Sequence, residues 1–172
     1  MVRSDYEVFH ETQFTKWLDK VVDRKVMDFI AESNAIEGID SVQQSEIEEF
    51  YRFLNLDKIT VEDLAQFVSV YQPGAKLRTK KGMDVRIGNH IPPAGSVNMT
   101  SKLQNILVHA NEGTDPYEVH QMYESLHPFL DGNGRSGRML WAWQMVNQKK
   151  YAFTRGFLHQ WYYQSLDNRR KV

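Results

Sequence analysis

The twelve residues His127-Pro128-Phe129-Leu130-Asp131-Gly132-Asn133-Gly134-Arg135-Ser136-Gly137-Arg138 combine a base, a carboxylate, a glycine-flanked asparagine and two guanidinium groups, directly ahead of an apolar helical stretch. That combination suits the phosphates of a nucleotide. A Gly132-Asn133-Gly134 turn lets successive backbone N–H groups point into one concavity, and a helix beginning there adds the positive end of its dipole. Arg135 and Arg138 follow Asp131 by four and seven residues, so a helix through all three would set them on one face. His127, with an ordinary pKa of about 6.5, can take the proton of a hydroxyl near neutral pH. Asp131 is a hard oxygen donor suited to Mg2+, which keeps most of its water while bridging phosphate oxygens. The backbone from Gly132 to Arg135, with Asn133, would hold phosphates, and Arg135 and Arg138 would neutralise their outer charge.

Each of these residues also has an ordinary use. A histidine before a proline can simply cap a helix C-terminus, Asp131-Gly132 can be a turn, and two arginines three apart can be a solvated helix face. Phe129 reads as a core anchor for the loop and is assigned no chemistry. His10, His90, His109, His120 and His159 show no metal-ligand spacing, and Trp141, Trp143 and Trp161 read as core.

The elements that must position the motif are mostly helical. Phe14, Trp17, Leu18, Val21, Val22, Val26, Phe29 and Ile30 recur on one helical face, a long amphipathic helix with a possible break near Ser33. Ile47, Phe50, Tyr51 and Leu54 repeat the pattern, as do Val61, Leu64, Val68 and Tyr71 behind a Thr60 cap, with Pro73-Gly74 as the stop. Leu103, Ile106, Leu107 and Ala110 mark another helix. Asp115-Pro116-Tyr117-Glu118 reads as an N-cap, a proline at the first helical position and a capping-box glutamate, opening a helix that runs to about Leu126. Met139, Leu140, Trp143 and Val146 follow the motif, and Phe157, Trp161 and Tyr162 form a last aromatic segment. The exception is 75–93, where Leu77 to Gly88 reads as two short strands around a glycine-containing turn. The expected fold is all-α with a single β-hairpin.

Length and composition fit one soluble domain over residues 1–172, able to bury a core without staples. With no cysteine there is no disulfide or thiolate metal site. Arg3, Asp5, Glu7 and His10 interrupt the first apolar run, so neither a signal peptide nor a membrane span is expected, and a cytoplasmic location is the default. A net charge of -1 gives no general reason to expect nucleic-acid binding. A homo-oligomer stays open.

The motif at 127–138 resembles that of the Fic family, His-x-Phe-x-Asp/Glu-Gly-Asn-Gly-Arg-x-x-Arg, at every defining position, and the helical core with an upstream hairpin, the flap, is similar too. The resemblance covers about residues 30–165. It implies a protein adenylyltransferase that moves AMP from ATP, with Mg2+, onto a Ser, Thr or Tyr hydroxyl of a target protein. His127 would be the base, Asp131 the metal ligand, and Gly132, Asn133, Gly134, Arg135 and Arg138 the phosphate-binding groups. In such proteins the flap at about 75–93 pairs with an extended target segment as an added strand, which would employ Arg78, Val85, Arg86 and Ile87. Lys76, Arg78, Lys80, Lys81 and Arg86 make this the most basic stretch, which suits an acidic target or simply a charged edge that resists aggregation.

Ser33-Asn34-Ala35-Ile36-Glu37-Gly38 resembles the family's inhibitory motif, Ser/Thr-x-x-x-Glu-Gly/Asn, within a segment at about 30–40. Ser33 and Glu37 share a helix face and Gly38 is a C-terminal stop. A carboxylate at that end of a helix opposes the dipole by roughly 0.3–1 kcal/mol, so a nearby cation would offset it. The resemblance supplies Arg138, held back from the γ-phosphate, and implies the subclass with an N-terminal inhibitory helix. Two further readings remain beside the transferase. Glu37 could position water for removal of AMP from a modified protein, or the chain could be a nucleotide-sensing, antitoxin-like interaction module with latent activity.

Overall fold

A computed structural model describes residues 24–150. The apolar positions at 14–22, the aromatic segment around Phe157, Trp161 and Tyr162, and His10 and His159 lie outside them. The chain is helical over 24–36 (α1), and this helix does not break near Ser33. It ends in a turn where Gly38 takes a left-handed φ of 75° and its N–H bonds the Ala35 carbonyl at 3.0 Å.

Helix α2 spans Gln44–Leu54 and α3 spans Val61–Tyr71. Thr60 caps α3 as its sequence suggests: its hydroxyl accepts from the Asp63 N–H, and the Asp63 carboxylate accepts from the Thr60 N–H at 2.9 Å. Helices α4 (Met99–Asn111), α5 (Pro116–Leu126) and α6 (Asn133–Asn147) complete the described bundle. Asp115 caps α5 through the N–H groups of Tyr117 and Glu118, with Pro116 at the first position. Glu118 gives its N–H and not a reciprocal carboxylate.

The helix that follows the motif is the centre of the bundle. α6 packs against α2, α3, α4 and α5, and twelve of its fifteen residues are buried, so a polar residue on it must find a partner inside the protein. Trp141 stacks on Phe29 of α1 at 6.4 Å between ring centroids, and Phe53 meets Phe67 edge-on at 5.6 Å between α2 and α3. Gly137 lets α5 and α6 approach closely: a Cβ there would lie 3.0 Å from the Tyr123 ring and overlap the Glu124 carboxylate. Among the described residues, no helix is long and apolar enough to cross a membrane.

The hairpin does not form. Over 75–93 two isolated bridges replace paired strands: Leu77 pairs with Phe129 in the motif loop, and Ile87 with His90. The reason is Arg78. Its side chain is fully buried and its guanidinium gathers the carbonyls of Met83 and Pro93, which curls the segment inward around the arginine.

Candidate functional site

The loop 127–132 joins α5 to α6, and Asn133 closes it. The Asn133 amide accepts from the Phe129 N–H and donates to the Phe129 carbonyl, both at 2.9 Å, and is 1 % exposed. Its side chain therefore builds the loop. Phe129 is buried, as a core anchor should be. Gly132 takes a left-handed φ of 77°, and no side chain caps α6. The first N–H groups of α6 have no carbonyl one turn back to bond, which leaves the positive helix end for an anion. A helix does begin at this turn, as the sequence suggests.

Asp131 lies outside α6, so Asp131, Arg135 and Arg138 do not share one helical face. Its Oδ1 accepts from the Gly132 N–H at 2.7 Å, and the residue is exposed at the rim. Among the described residues there is no group of three or more metal-ligating side chains, so any cation here would rest on this one carboxylate and on oxygens from elsewhere. That donor set fits Mg2+, which tolerates a single protein carboxylate when phosphates and water complete its shell.

The two arginines go separate ways. Arg135 turns toward α2 and α3, donating to Gln72 Oε1 at 2.5 Å, standing 3.8 Å from Glu46 and 5.8 Å from the centre of the Tyr71 ring. Its Nε is buried without a hydrogen-bond partner. Arg138 is fully buried against the end of α1: its Nε donates to Ser33 Oγ at 2.8 Å, and its Nη2 to the Ser33 carbonyl at 2.8 Å and Glu37 Oε1 at 2.7 Å. The offset that Glu37 needs at the negative end of α1 is thus supplied by Arg138. Glu37 also reaches the start of α6, since a Cβ on Gly134 would overlap its carboxylate. Ser33 and Glu37 thus meet Arg138 of the motif, while Gly38 ends α1 in its turn.

His127 is both a cap and a candidate base. It ends α5 in the left-handed region, φ 49° and ψ 63°, with its N–H on the Tyr123 carbonyl at 2.9 Å. Burial, reinforced by the Arg78 charge, pushes the imidazole pKa down to about 4, so the ring is neutral and able to accept a proton near pH 7. The Glu124 backbone carbonyl acts on the ring to raise its basicity, and Nδ1 is buried 3.7 Å from Glu124 Oε2, so Nε2 is the nitrogen that would take a substrate proton.

The residues assigned to target docking divide. Arg78 is withdrawn into the core, whereas Val85 and Ile87 are half-buried and Arg86 is exposed, donating to the Gly88 carbonyl at 2.9 Å. Glu124, Gln72 and Glu46 join the site from outside both motifs. Glu124 had a signal, standing one helical turn before His127. Gln72 and Glu46 had none, being ordinary polar residues until folding sets them beside Arg135. The sequence model of the Fic/DOC family matches residues 54–145, more than half of the chain, from the end of α2 to near the end of α6.

Proposed function

The chain belongs to the Fic/DOC family, and on that premise we propose that it is an autoinhibited adenylyltransferase moving AMP from ATP to a protein hydroxyl. The supporting observation is the arrangement around α6: a neutral His127 at the head of the loop, an uncapped helix N-terminus at its end, and Arg138 engaged by Glu37 beside Gly134. In the proposed reaction the target hydroxyl oxygen bonds to the α-phosphorus while the bond to the β-phosphate oxygen breaks. Pyrophosphate leaves, and the hydroxyl proton passes to His127 Nε2. The α6 N–H groups would hold phosphate oxygens, with Arg135 joining them on leaving Gln72. Asp131 would hold Mg2+, whose chemistry is to neutralise charge on the phosphates.

Inhibition follows from competition for Arg138. A γ-phosphate needs the guanidinium that Glu37 occupies, and the Glu37 carboxylate also adds negative charge at the helix end where phosphate should sit. The target would dock on the 75–93 segment by backbone pairing, with Arg86 rather than Arg78 as the accessible cation. The test is transfer of α-labelled AMP to proteins of a cell lysate by wild type and Glu37→Gly. Labelling by Glu37→Gly and little by wild type is the expected result; ATP binding without labelled protein in either would favour a nucleotide-sensing module. Release of AMP from a pre-labelled target by wild type but not by Glu37→Gly would favour AMP removal.

A further inference from the structure

Arg78 is fully buried, yet none of the four hydrogen-bond acceptors its guanidinium takes is a carboxylate. Nε donates to the His127 carbonyl at 2.8 Å, Nη2 to the Leu126 carbonyl at 2.9 Å, and Nη1 to the carbonyls of Pro93 at 2.9 Å and Met83 at 3.2 Å. Its backbone extends the clasp. The Arg78 N–H bonds the Pro128 carbonyl at 2.9 Å, and its own carbonyl accepts from the Ser96 N–H at 3.0 Å. One residue therefore ties the last turn of α5 and the first two motif residues to the 83–96 segment.

His127 is a non-glycine residue in the left-handed region, a backbone state that persists only where its surroundings hold it. Two of the carbonyls fixed by Arg78 flank the Leu126–His127 and His127–Pro128 peptides, so the arginine grips the backbone on both sides of the His127 Cα. Loss of the guanidinium would leave both carbonyls to find other donors. The Cα–Cβ direction of His127, and with it the imidazole, would follow.

We propose that Arg78 is a positioning residue for His127, fixing the peptides from which the imidazole projects and joining the 83–96 segment to the catalytic loop. The inference rests on His127 being the base of the proposed reaction. The guanidinium also acts on the ring by charge. Arg78 and His90 lower the basicity of His127; Asp131 and the Glu124 backbone carbonyl oppose them, and the Glu124 carboxylate stands at 3.7 Å.

Two variants separate grip from charge. Arg78→Lys keeps a positive charge but its single ammonium cannot span four carbonyls; Arg78→Gln removes the charge as well. Made in a Glu37→Gly background, each is expected to lower kcat for AMP transfer about 10²-fold, the scale of a misplaced catalytic group, with ATP affinity unchanged. NMR titration of the His127 ring, assigned with His127→Gln, gives a readout independent of transfer. Its pKa should rise from about 4 in Arg78→Gln and stay low in Arg78→Lys. If Arg78→Gln does not fold, Arg78→Lys carries the test through its kcat. Folded variants with kcat within twofold of the parent and an unmoved ring titration would overturn the inference. A parent that transfers no AMP, beside a ring titration that moves in Arg78→Gln, would sink the transferase reading and leave the Arg78–His127 link standing.

Discussion

Glu37 and Arg138, 101 residues apart, meet at 2.7 Å with the arginine fully buried and the glutamate side chain 39 % exposed. The asymmetry decides what removing Glu37 does. Arg138 would keep Ser33 as a hydrogen-bond partner but lose this carboxylate, which destabilises a buried cation. Glu37→Gly should therefore melt at a lower temperature than wild type without nucleotide, and ATP should raise its melting temperature more than that of wild type. Transfer should rise by about a hundredfold, equivalent to about 2.7 kcal/mol of released bias. Thermal melts with and without ATP, alongside labelling, check both halves. Equal ATP-dependent shifts in the two proteins would contradict the competition between Glu37 and phosphate.

Gly134 offers a second route to the same contact. Its φ is not in the left-handed region, so the obstacle to a side chain is the overlap with Glu37 and a 3.1 Å approach to Arg138 Nη1. Gly134→Ala should destabilise wild type, yet be close to neutral in Glu37→Gly, where the helix preference for alanine, up to about 1 kcal/mol, works unopposed. Urea unfolding of the four proteins gives the coupling directly. An equal cost in both backgrounds would mean that Gly134 is required for another reason.

The bundle was legible because its cues are local. Apolar residues three and four apart mark α2, α3 and α4, while Thr60, Asp115 and Gly38 act where their chemistry places them. The 75–93 segment was not, because the alternation from Leu77 to Ile87 suits strands while the fate of Arg78 depends on carbonyls supplied by Leu126 and His127, far along the chain. A charged residue normally reads as surface, and only the tertiary structure shows it as core. The motif presents the same difficulty in small. Its residue types announced an anion site, but Asn133 spends both amide groups on Phe129, and Arg135 turns to Gln72.

The Asn133 side chain should therefore matter to stability before it matters to nucleotide. Asn133→Ala leaves the buried Phe129 N–H and carbonyl unpaired, at a cost of about 2 kcal/mol or more. In a chain of this size that lowers the melting temperature by roughly 4–8 °C. Asn133→Asp keeps an acceptor for the Phe129 N–H but no donor for its carbonyl, so it should fall between wild type and Asn133→Ala if its charge is tolerated. A melting temperature within 1 °C of wild type for Asn133→Ala, an interval of about half a kcal/mol or less, would show that the loop does not depend on this bridge.

Acid should act on the site through two histidines. His127 and His120 both have pKa values pushed down to about 4, mainly by burial, with the Arg78 charge adding at His127; His120 is held by the Gly137 carbonyl at 3.0 Å. Unfolded, each would titrate near about 6.5. Between those values the unfolded chain binds more protons than the folded one, so stability rises with pH across this window and is lost as pH falls from about 6.5 toward 4. His120→Gln should flatten that dependence. Catalysis should follow the folded value instead: in Glu37→Gly, kcat/KM should hold its acid side until the pH approaches 5, because His127 remains neutral there. Rates measured from pH 5 to 8, with melting followed over the same range, separate the two effects. An acid limb centred near 6.5 in a protein that is still folded would show that His127 titrates as a solvent-exposed imidazole rather than one whose basicity burial has lowered.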